Sequence, residues 1–366
     1  MSNAQAMYEL NLDQAVAAIA ANGHKRTTLV QGHMGCGKSS MLAVLAERFP
    51  THHACYFDCT TKDLGDITIP HIAHLKAGAD YVEYLTNEEL GLHLDKPVIL
   101  MIDEYGKANP AVKNALLRLM LERKMGGRSL HRDSIVFSTT NLGVEGVGDL
   151  LPAHARNRLT VIALRKPTHI EWIEWGIENG IDLALLGWVK DNPQVFADFR
   201  EVKDPDDNPY IFHPRSARTA FVTPRSLEGA SDWLKVRDTL DRQTLTAALM
   251  GTLGDRAAMD LAAFITLADQ LPKLESIKAS PDSAPVPTSP SAVCMVVFKV
   301  LQVIEQEWVE AWLTYMNRLP KEAQGMFVNG IRAPKYNAER RNAVMTSRGF
   351  GAWARQNAYL FSADGV

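Results

Sequence analysis

The segment GHMGCGKS, residues 32–39, constrains this chain more than any other feature, because it lies between an apolar strand-like run and a helical pattern. Glycines let backbone N–H groups turn inward around phosphate oxygens, and the N-terminus of the following helix adds a favourable dipole. Lys38 is then expected to reach the β- and γ-phosphates of a bound nucleotide, and Ser39 is expected to bind magnesium. The alternative is a glycine-rich turn that only joins a strand to a helix. The residues expected to contact the nucleotide are Gly32, His33, Met34, Gly35, Cys36, Gly37, Lys38, Ser39 and Ser40.

Two acidic residues follow the apolar run VILMI, residues 98–102. In a parallel sheet of this kind, a carboxylate at the tip of such a strand lies beside the glycine loop. We therefore expect Asp103 to hold magnesium and Glu104 to act as the general base that polarises the attacking water. A strand that simply enters solvent through two acidic residues is the alternative interpretation.

A further polar residue, Asn141, ends the apolar segment SIVFSTTN. Its amide is placed to orient the water or to contact the γ-phosphate. An asparagine at a strand end is also a common turn former, so the pattern alone leaves both interpretations open.

The alternation of strand-like and helical segments predicts an α/β fold with a parallel sheet covered by helices. Helical patterns cover Leu12 to Ala21 and Ser39 to Phe49. After about residue 165 the strand signals fade, and a helical region begins. The segment ASPDSAPVPTSP, residues 279–290, predicts a linker before two further helical segments, 293–317 and 338–361. The strand-like runs are Thr27 to Val30, Ala54 to Phe57, Val98 to Ile102, Ile135 to Ser138 and Leu159 to Leu164.

Composition excludes several classes of protein. The 366 residues are 46% hydrophobic and 22% charged, which indicates a globular chain of two or three domains. No apolar run approaches the roughly 20 residues of a membrane-spanning helix, and the N-terminus has no signal-peptide pattern, so we expect a cytoplasmic protein without a membrane partner. Four cysteines without framework spacing fit a reducing compartment. A net charge of −3 argues against a large basic field for nucleic acid.

Together, GHMGCGKS, VILMIDE and SIVFSTTN resemble Walker A, Walker B and sensor 1 of the AAA+ ATPases, in their order and spacing. The segments between them resemble the MoxR-like branch of bacteria and phages. DLGD (63–66) follows the second strand, NPAVKNALLRLMLERK follows Walker B, and the hairpin-like MGGRSL precedes the sensor strand. LLPAHARNRL (150–159) is similar to the segment with the arginine finger, TPRSLEGASD (223–232) to sensor 2, and WIEWGIENGID to the entry of the lid.

This resemblance implies a P-loop NTPase core at residues 1–165, an α-helical lid with sensor 2 at 166–275, and a linker with a helical extension of the lid at 276–366. It implies a homo-oligomeric ring, usually a hexamer, with ATP or ADP and Mg²⁺ between neighbouring subunits. Arg158 is the expected arginine finger and Arg156 the close alternative. Arg225 is expected to contact the γ-phosphate from the lid. Family members often act with a separate VWA-domain protein, so such a partner is expected by analogy.

Three functions compete on this basis. The favoured one is ATP-driven remodelling or chaperone-like activation of a partner protein complex, because the full set of hydrolytic residues is present. A nucleic-acid motor or loader would need a basic pore, for which Lys62, Lys124, Arg128 and Arg132 are the candidates. A nucleotide-gated assembly scaffold is the third, and the presence of Glu104 argues against it. DLGDITIP lacks a glycine- and aromatic-rich insertion found in some relatives, which leaves the pore loop unassigned.

Overall fold

The computed structural model describes residues 8–78, 80–143, 157–268 and 271–361 of the chain. The chain forms two compact units, Met1–Lys166 and Pro167–Val366, which are described separately below. Among the helices in the described ranges, none has the length and apolar character needed to cross a bilayer.

The first unit is built on a six-stranded sheet in which every neighbouring pair of strands is parallel. In chain order its strands are β1 Glu9–Leu10, β2 Thr28–Gly32, β3 His53–Asp58, β6 Val98–Asp103, β9 Ile135–Thr140 and β10 Thr160–Leu164. Their spatial order is β1-β10-β2-β9-β6-β3, so β9 lies between β2 and β6, and β3 is an edge strand. The predicted parallel sheet and its five strands are therefore confirmed, and β1 is an addition.

Helices cover both faces of this sheet. They are α1 Leu12–Asn22, α2 Ser40–Arg48, α3 Leu64–Ile67 and α5 Pro110–Glu122, and a further short helix, α4 Ile72–Lys76, is largely exposed. Strand β6 is buried along its whole length, because alternate side chains enter different hydrophobic clusters. Leu100 and Ile102 pack in the cluster that includes α5, whereas Ile99 and Met101 pack in the cluster with α1 and α2. A strand buried on both faces explains why residues 98–102 are apolar without alternation.

The first unit also contains two small antiparallel hairpins. Strand β4 (Thr68–Pro70) pairs with β5 (Tyr84–Thr86), and β7 (Lys124–Met125) pairs with β8 (Arg128–Ser129). The second hairpin confirms the turn predicted from MGGRSL. Its Gly126 has a φ of 57°, and a Cβ atom there would lie 2.9 Å from Cγ2 of Thr86, so glycine permits both the turn and the close approach of the hairpins.

The second unit is helical. Its helices are α6 His169–Glu178, α7 Leu183–Asp191, α8 Pro224–Lys235, α9 Arg242–Leu253, α10 Asp255–Ala268, α11 Leu274–Ala279, α12 Pro290–Val303, α13 Val309–Met316, α14 Lys321–Arg332, α15 Ala338–Met345 and α16 Arg348–Gln356. One hydrophobic cluster extends from Trp172 to Leu360. The predicted linker is held against this cluster, since carbonyl groups of Pro285 and Ala284 accept hydrogen bonds from Tyr315 and Arg318. The proposed boundary at residue 275 stays a prediction.

Both predicted C-terminal helices are shorter than the sequence pattern indicated. The 293–317 segment is divided between α12 and α13, because Ile304 has an extended backbone, with φ −67° and ψ 133°. The 338–361 segment is divided between α15 and α16, and α14 was not predicted. Two tryptophans of α6 differ in exposure: Trp172 is buried, whereas Trp175 is 37% exposed.

Candidate functional site

The glycine loop joins the end of β2 to the start of α2, and its glycines have distinct reasons to be there. Gly35 and Gly37 have φ values of 69° and 90°, which residues with a side chain rarely adopt. Gly32 has a different constraint, because a Cβ atom on it would lie 2.9 Å from the carbonyl oxygen of Leu164 in β10. Substitution of these glycines would therefore disturb the loop or its contact with the sheet.

The Lys38 side chain is folded beneath this loop and is only 6% exposed. Its ammonium group donates to the carbonyl oxygens of Gly32, at 2.9 Å, and His33, at 2.7 Å. It also donates to Oδ1 of Asn141 at 2.6 Å. The buried cation is thus held by oxygen atoms of the loop and of the neighbouring strand.

The Asp103 carboxylate is buried, and four donors fix both of its oxygens. Oδ1 accepts hydrogen bonds from the Thr139 hydroxyl and, at 3.0 Å, from the backbone N–H of Glu104. Oδ2 accepts from the Ser39 hydroxyl at 3.3 Å and from the Tyr56 phenol at 2.9 Å. Burial, and then the hydrogen bond to Asp103, raise the pKa of Tyr56 above its ordinary value, so the phenol keeps its proton and remains a donor.

Glu104 has a left-handed backbone, with φ 52° and ψ 35°, which is uncommon for a residue other than glycine. Its Oε1 accepts a hydrogen bond from Nδ2 of Asn141 at 3.1 Å, and its Oε2 is 3.1 Å from Nζ of Lys107. Such conformations persist where the surrounding structure holds them, and they are frequent at functional sites. Asn141 therefore links the carboxylate of Glu104 to the ammonium group of Lys38.

The strand order explains this convergence. Lys38 follows β2, Asn141 follows β9, and Asp103 ends β6, and these strands are neighbours in the sheet. Because all three run in the same direction, their carboxyl ends meet at one edge. The sequence prediction that these side chains would gather beside the glycine loop agrees with this arrangement, although their roles in catalysis stay predictions.

Other predicted loop residues differ in exposure. His33 and Cys36 are buried, Met34 and Ser39 are half-buried, and Ser40 is exposed. The Ser40 hydroxyl donates to the carbonyl oxygen of Gly37 at 2.7 Å and so closes the turn that leads into α2. Phosphate binding by these residues stays a prediction.

Two of the three predicted arginines, Arg158 and Arg225, are exposed. Arg158 is exposed just before β10, and Arg156 falls outside the described residues. Arg225 is exposed near the start of α8, whose first turn is capped by the side chain of Thr223, and it belongs to the second compact unit. Their roles at a nucleotide stay predictions.

The candidate basic residues for nucleic acid are partly engaged with acidic ones. Lys62 forms an ion pair with Glu89 at 2.8 Å, and Arg132 lies 3.6 Å from a carboxylate oxygen of Asp133. Lys124 and Arg128 are exposed on the β7–β8 hairpin.

Three contributors to the site were missed by the sequence analysis: Tyr56, Thr139 and Lys107. Thr139 lies two residues before Asn141 in a run of hydroxyl residues, a pattern that can be recognised once β9 is placed beside β6. Lys107 is three residues after Glu104 and lies in a short 3₁₀ turn, Tyr105–Lys107. Tyr56 had no local signal, because its contact depends on the pairing of β3 with β6.

The oxygen donors at this edge suit magnesium. Mg²⁺ prefers oxygen ligands and commonly takes one or two from the protein and the rest from water and phosphate. Ser39 and Asp103 supply a hydroxyl and a carboxylate that already lie 3.3 Å apart. Among the described residues no group of three or more His, Cys, Asp or Glu could hold a metal ion, so a dense protein-only metal centre is not seen in those ranges.

The parallel sheet, the glycine loop after β2 and the carboxylates at the end of β6 define a P-loop NTPase fold, followed by a helical C-terminal region. No family model and no curated protein matches the chain. Among solved structures, NtrX from Brucella abortus in complex with ADP is 15% identical, with 96% of this chain and 68% of that chain covered and a TM-score of 0.41.

A RuvB mutant from Thermotoga maritima is 17% identical, with 82% of this chain and 85% of that chain covered and a TM-score of 0.37. Each TM-score is below 0.5, so the fold assignment rests on the strand order and glycine loop of this chain and not on these likenesses.

Proposed function

We propose that this protein binds ATP with Mg²⁺ and hydrolyses it to ADP and phosphate. The observation that carries the proposal is the chain of contacts from Lys38 through Asn141 to Glu104 at the carboxyl edge of the sheet. It brings together a cation for phosphate oxygens, an amide that can orient water, and a carboxylate that can accept a proton.

Each residue then has a distinct role. The glycine loop and Lys38 bind the phosphates. On binding, the ammonium group of Lys38 gives up some of its contacts with backbone carbonyls and contacts phosphate oxygens instead. Asn141 holds the carboxylate of Glu104 in place, and Glu104 takes a proton from the attacking water. Lys107 lies on the other oxygen of Glu104 and limits the directions in which that carboxylate can turn.

Ser39 and Asp103 are the residues that would hold the magnesium ion. Bound Mg²⁺ would neutralise charge that develops on the phosphate oxygens. Asp103 is well suited to this position because its carboxylate is oriented by donors from two neighbouring strands, from the backbone just after β6 and from the glycine loop.

We further propose that the ATPase acts as a homo-oligomeric ring of the MoxR-like AAA+ type that remodels a partner protein complex. Support comes from the motif order and from the exposure of Arg158, which leaves its guanidinium accessible to a neighbouring subunit. In such a ring Arg158 would act in the next subunit's site, Arg225 would respond to the γ-phosphate, and a VWA-domain protein would be a suitable partner. The ion pair of Lys62 with Glu89 occupies one of the four candidate basic residues, which supports a protein client over nucleic acid.

The test is ATP turnover measured against protein concentration, with light scattering on the same samples. The wild type is compared with Glu104→Gln, Arg158→Ala and the control Glu47→Gln, which changes an exposed glutamate of α2. We expect wild-type activity to rise with assembly, because a ligand shared by two subunits stabilises their association. Glu104→Gln should assemble without turnover, and Arg158→Ala should assemble with little turnover.

Two results would contradict these proposals. Absence of ATP binding by the wild type would contradict the proposed ATPase activity itself. ATP turnover that is independent of protein concentration and unaffected by Arg158→Ala would agree with the ATPase activity. It would contradict a ring in which neighbouring subunits share the active site.

A further inference from the structure

Tyr56 donates a hydrogen bond to the Asp103 carboxylate from β3, an edge strand of the sheet. Strand β3 pairs with β6 so that Tyr56 is opposite Met101 and Asp58 is opposite Asp103. Paired residues point to the same face of a sheet, and a large aromatic side chain can reach a diagonal neighbour two positions away. The phenol of Tyr56 therefore reaches the end of β6, where its oxygen lies 2.9 Å from Oδ2 of Asp103.

The two donors on Oδ2 differ in what they can do. The Ser39 hydroxyl is more distant, at 3.3 Å, and belongs to the residue expected to contact the metal itself. The Tyr56 phenol is closer and belongs to a strand that carries none of the predicted nucleotide ligands. The phenol can thus hold the carboxylate whether or not Ser39 is engaged elsewhere.

The other oxygen of the Asp103 carboxylate, Oδ1, is held by the Thr139 hydroxyl and by the backbone N–H of Glu104. Rotation about the Cβ–Cγ bond would move both oxygens, so the bonds on Oδ1 and the donors on Oδ2 oppose it together. A carboxylate that is oriented in advance loses less conformational freedom when it takes up a cation or its bound water.

We propose that Tyr56 is a positioning residue for the divalent cation, holding Asp103 in the orientation that binds the metal. The proposal rests on the proposed function, because it assumes that Asp103 serves a nucleotide-bound magnesium ion. Tyr56 itself would contact neither the phosphates nor the reacting atoms. Its removal should weaken binding of the cation and leave binding of the nucleotide alone almost unchanged.

The experiment uses Tyr56→Phe, which removes the hydroxyl and keeps the ring. Mn²⁺ binding to the full-length protein saturated with ADP is measured by electron paramagnetic resonance, and ADP binding without divalent cation is measured by fluorescence. Tyr84→Phe is the matched control, since Tyr84 is an exposed tyrosine on another strand, and Asp103→Asn is the reference for loss of the carboxylate.

We expect Tyr56→Phe to weaken Mn²⁺ binding roughly tenfold, as for loss of one hydrogen bond to a charged group. ADP binding without the cation should stay within about twofold of the wild type, which also shows that the variant is folded. In the Asp103→Asn background, Tyr56→Phe should cause no comparable further loss, because the two residues act together.

The outcomes separate the two proposals. If Tyr56→Phe binds Mn²⁺ as tightly as the wild type while Asp103→Asn does not, the positioning role is wrong and the nucleotide site stands. If the wild type binds no ADP, the proposed function fails, and the role of Tyr56 fails with it. A rise in the Mg²⁺ concentration needed for half-maximal turnover, with kcat unchanged at saturating Mg²⁺, would be a second supporting result.

Discussion

Nζ of Lys38 lies 2.6 Å from Oδ1 of Asn141, so a residue of the glycine loop is joined directly to the end of the neighbouring strand. The same amide donates from its nitrogen to Glu104. The side chain of Asn141 can satisfy both partners only in one orientation, because its oxygen must accept from Lys38 while its nitrogen donates to Glu104. A single amide therefore joins the residue proposed to bind phosphate to the residue proposed to activate water.

Replacement of Lys38 by methionine is expected to abolish detectable ATP binding. The ammonium group is the buried cation of the loop, and a thioether cannot balance phosphate charge. Binding is measured with a fluorescent ATP analogue, and thermal unfolding is recorded for the same sample. Lys25→Met, at an exposed lysine, is the control. Unchanged binding in Lys38→Met would contradict the assignment of the phosphate site.

Asn141→Ala should separate binding from turnover. The loop and Lys38 remain, so we expect ATP to bind within about threefold of the wild type, whereas kcat should fall roughly 100-fold, as for loss of one oriented polar group at a reacting centre. Asn22→Ala, at the exposed end of α1, is the control. An equal loss of binding and kcat would instead indicate that Asn141 only supports the loop.

The buried thiol of Cys55 should make the free energy of unfolding depend on pH. Burial raises its pKa from 9.0 to about 11, so the folded state holds its proton at pH values where the unfolded state has lost it. The contribution of the neutral thiol is complete below pH 9 and is lost as the pH rises through 11, with a change of about 2 to 3 kcal/mol.

The measurement for Cys55 is urea unfolding of the wild type and Cys55→Ala at pH 8 and pH 11. Other titrating groups are shared by the two proteins and cancel in the comparison. The wild type should lose more free energy of unfolding than Cys55→Ala between these pH values. Equal losses would mean that Cys55 ionises in the folded state as readily as in the unfolded chain.

Two helical glycines of the second unit should respond to alanine with opposite signs. Gly251 and Gly330 are each the tenth residue of a twelve-residue helix. Nothing lies within 4 Å of a Cβ atom on Gly251, so Gly251→Ala should stabilise the protein by about 0.5 to 1 kcal/mol.

A Cβ atom on Gly330 would lie 2.5 Å from Cδ1 of Leu301, a side chain that is fully buried. We expect Gly330→Ala to cost about 1 to 3 kcal/mol, because Leu301 must move within a packed core. Denaturant unfolding of both variants is the measurement, and two changes of the same sign would contradict the packing of α14 against α12.

The sequence was sufficient to predict much of the core and part of the site. The apolar run before Asp103 and the glycines before Lys38 are local patterns, and the parallel sheet brings their ends together by rule. Tyr56 could not be predicted in this way, since its contact with Asp103 depends on strand register across 47 residues of chain. The break at Ile304 was also hidden, because no glycine or proline marks it in residues 293–317 and only the backbone conformation divides the helices.

Strand β6 has a consequence for the durability of the site. Its residues Val98–Asp103 are buried from end to end and hydrogen-bonded to a neighbouring strand on both sides. Local openings favour segments with few buried contacts, so amide hydrogens of β6 should exchange with deuterium only when the whole unit unfolds. Asp103 is the last residue of that strand, and its position should persist for as long as the core of the unit remains folded.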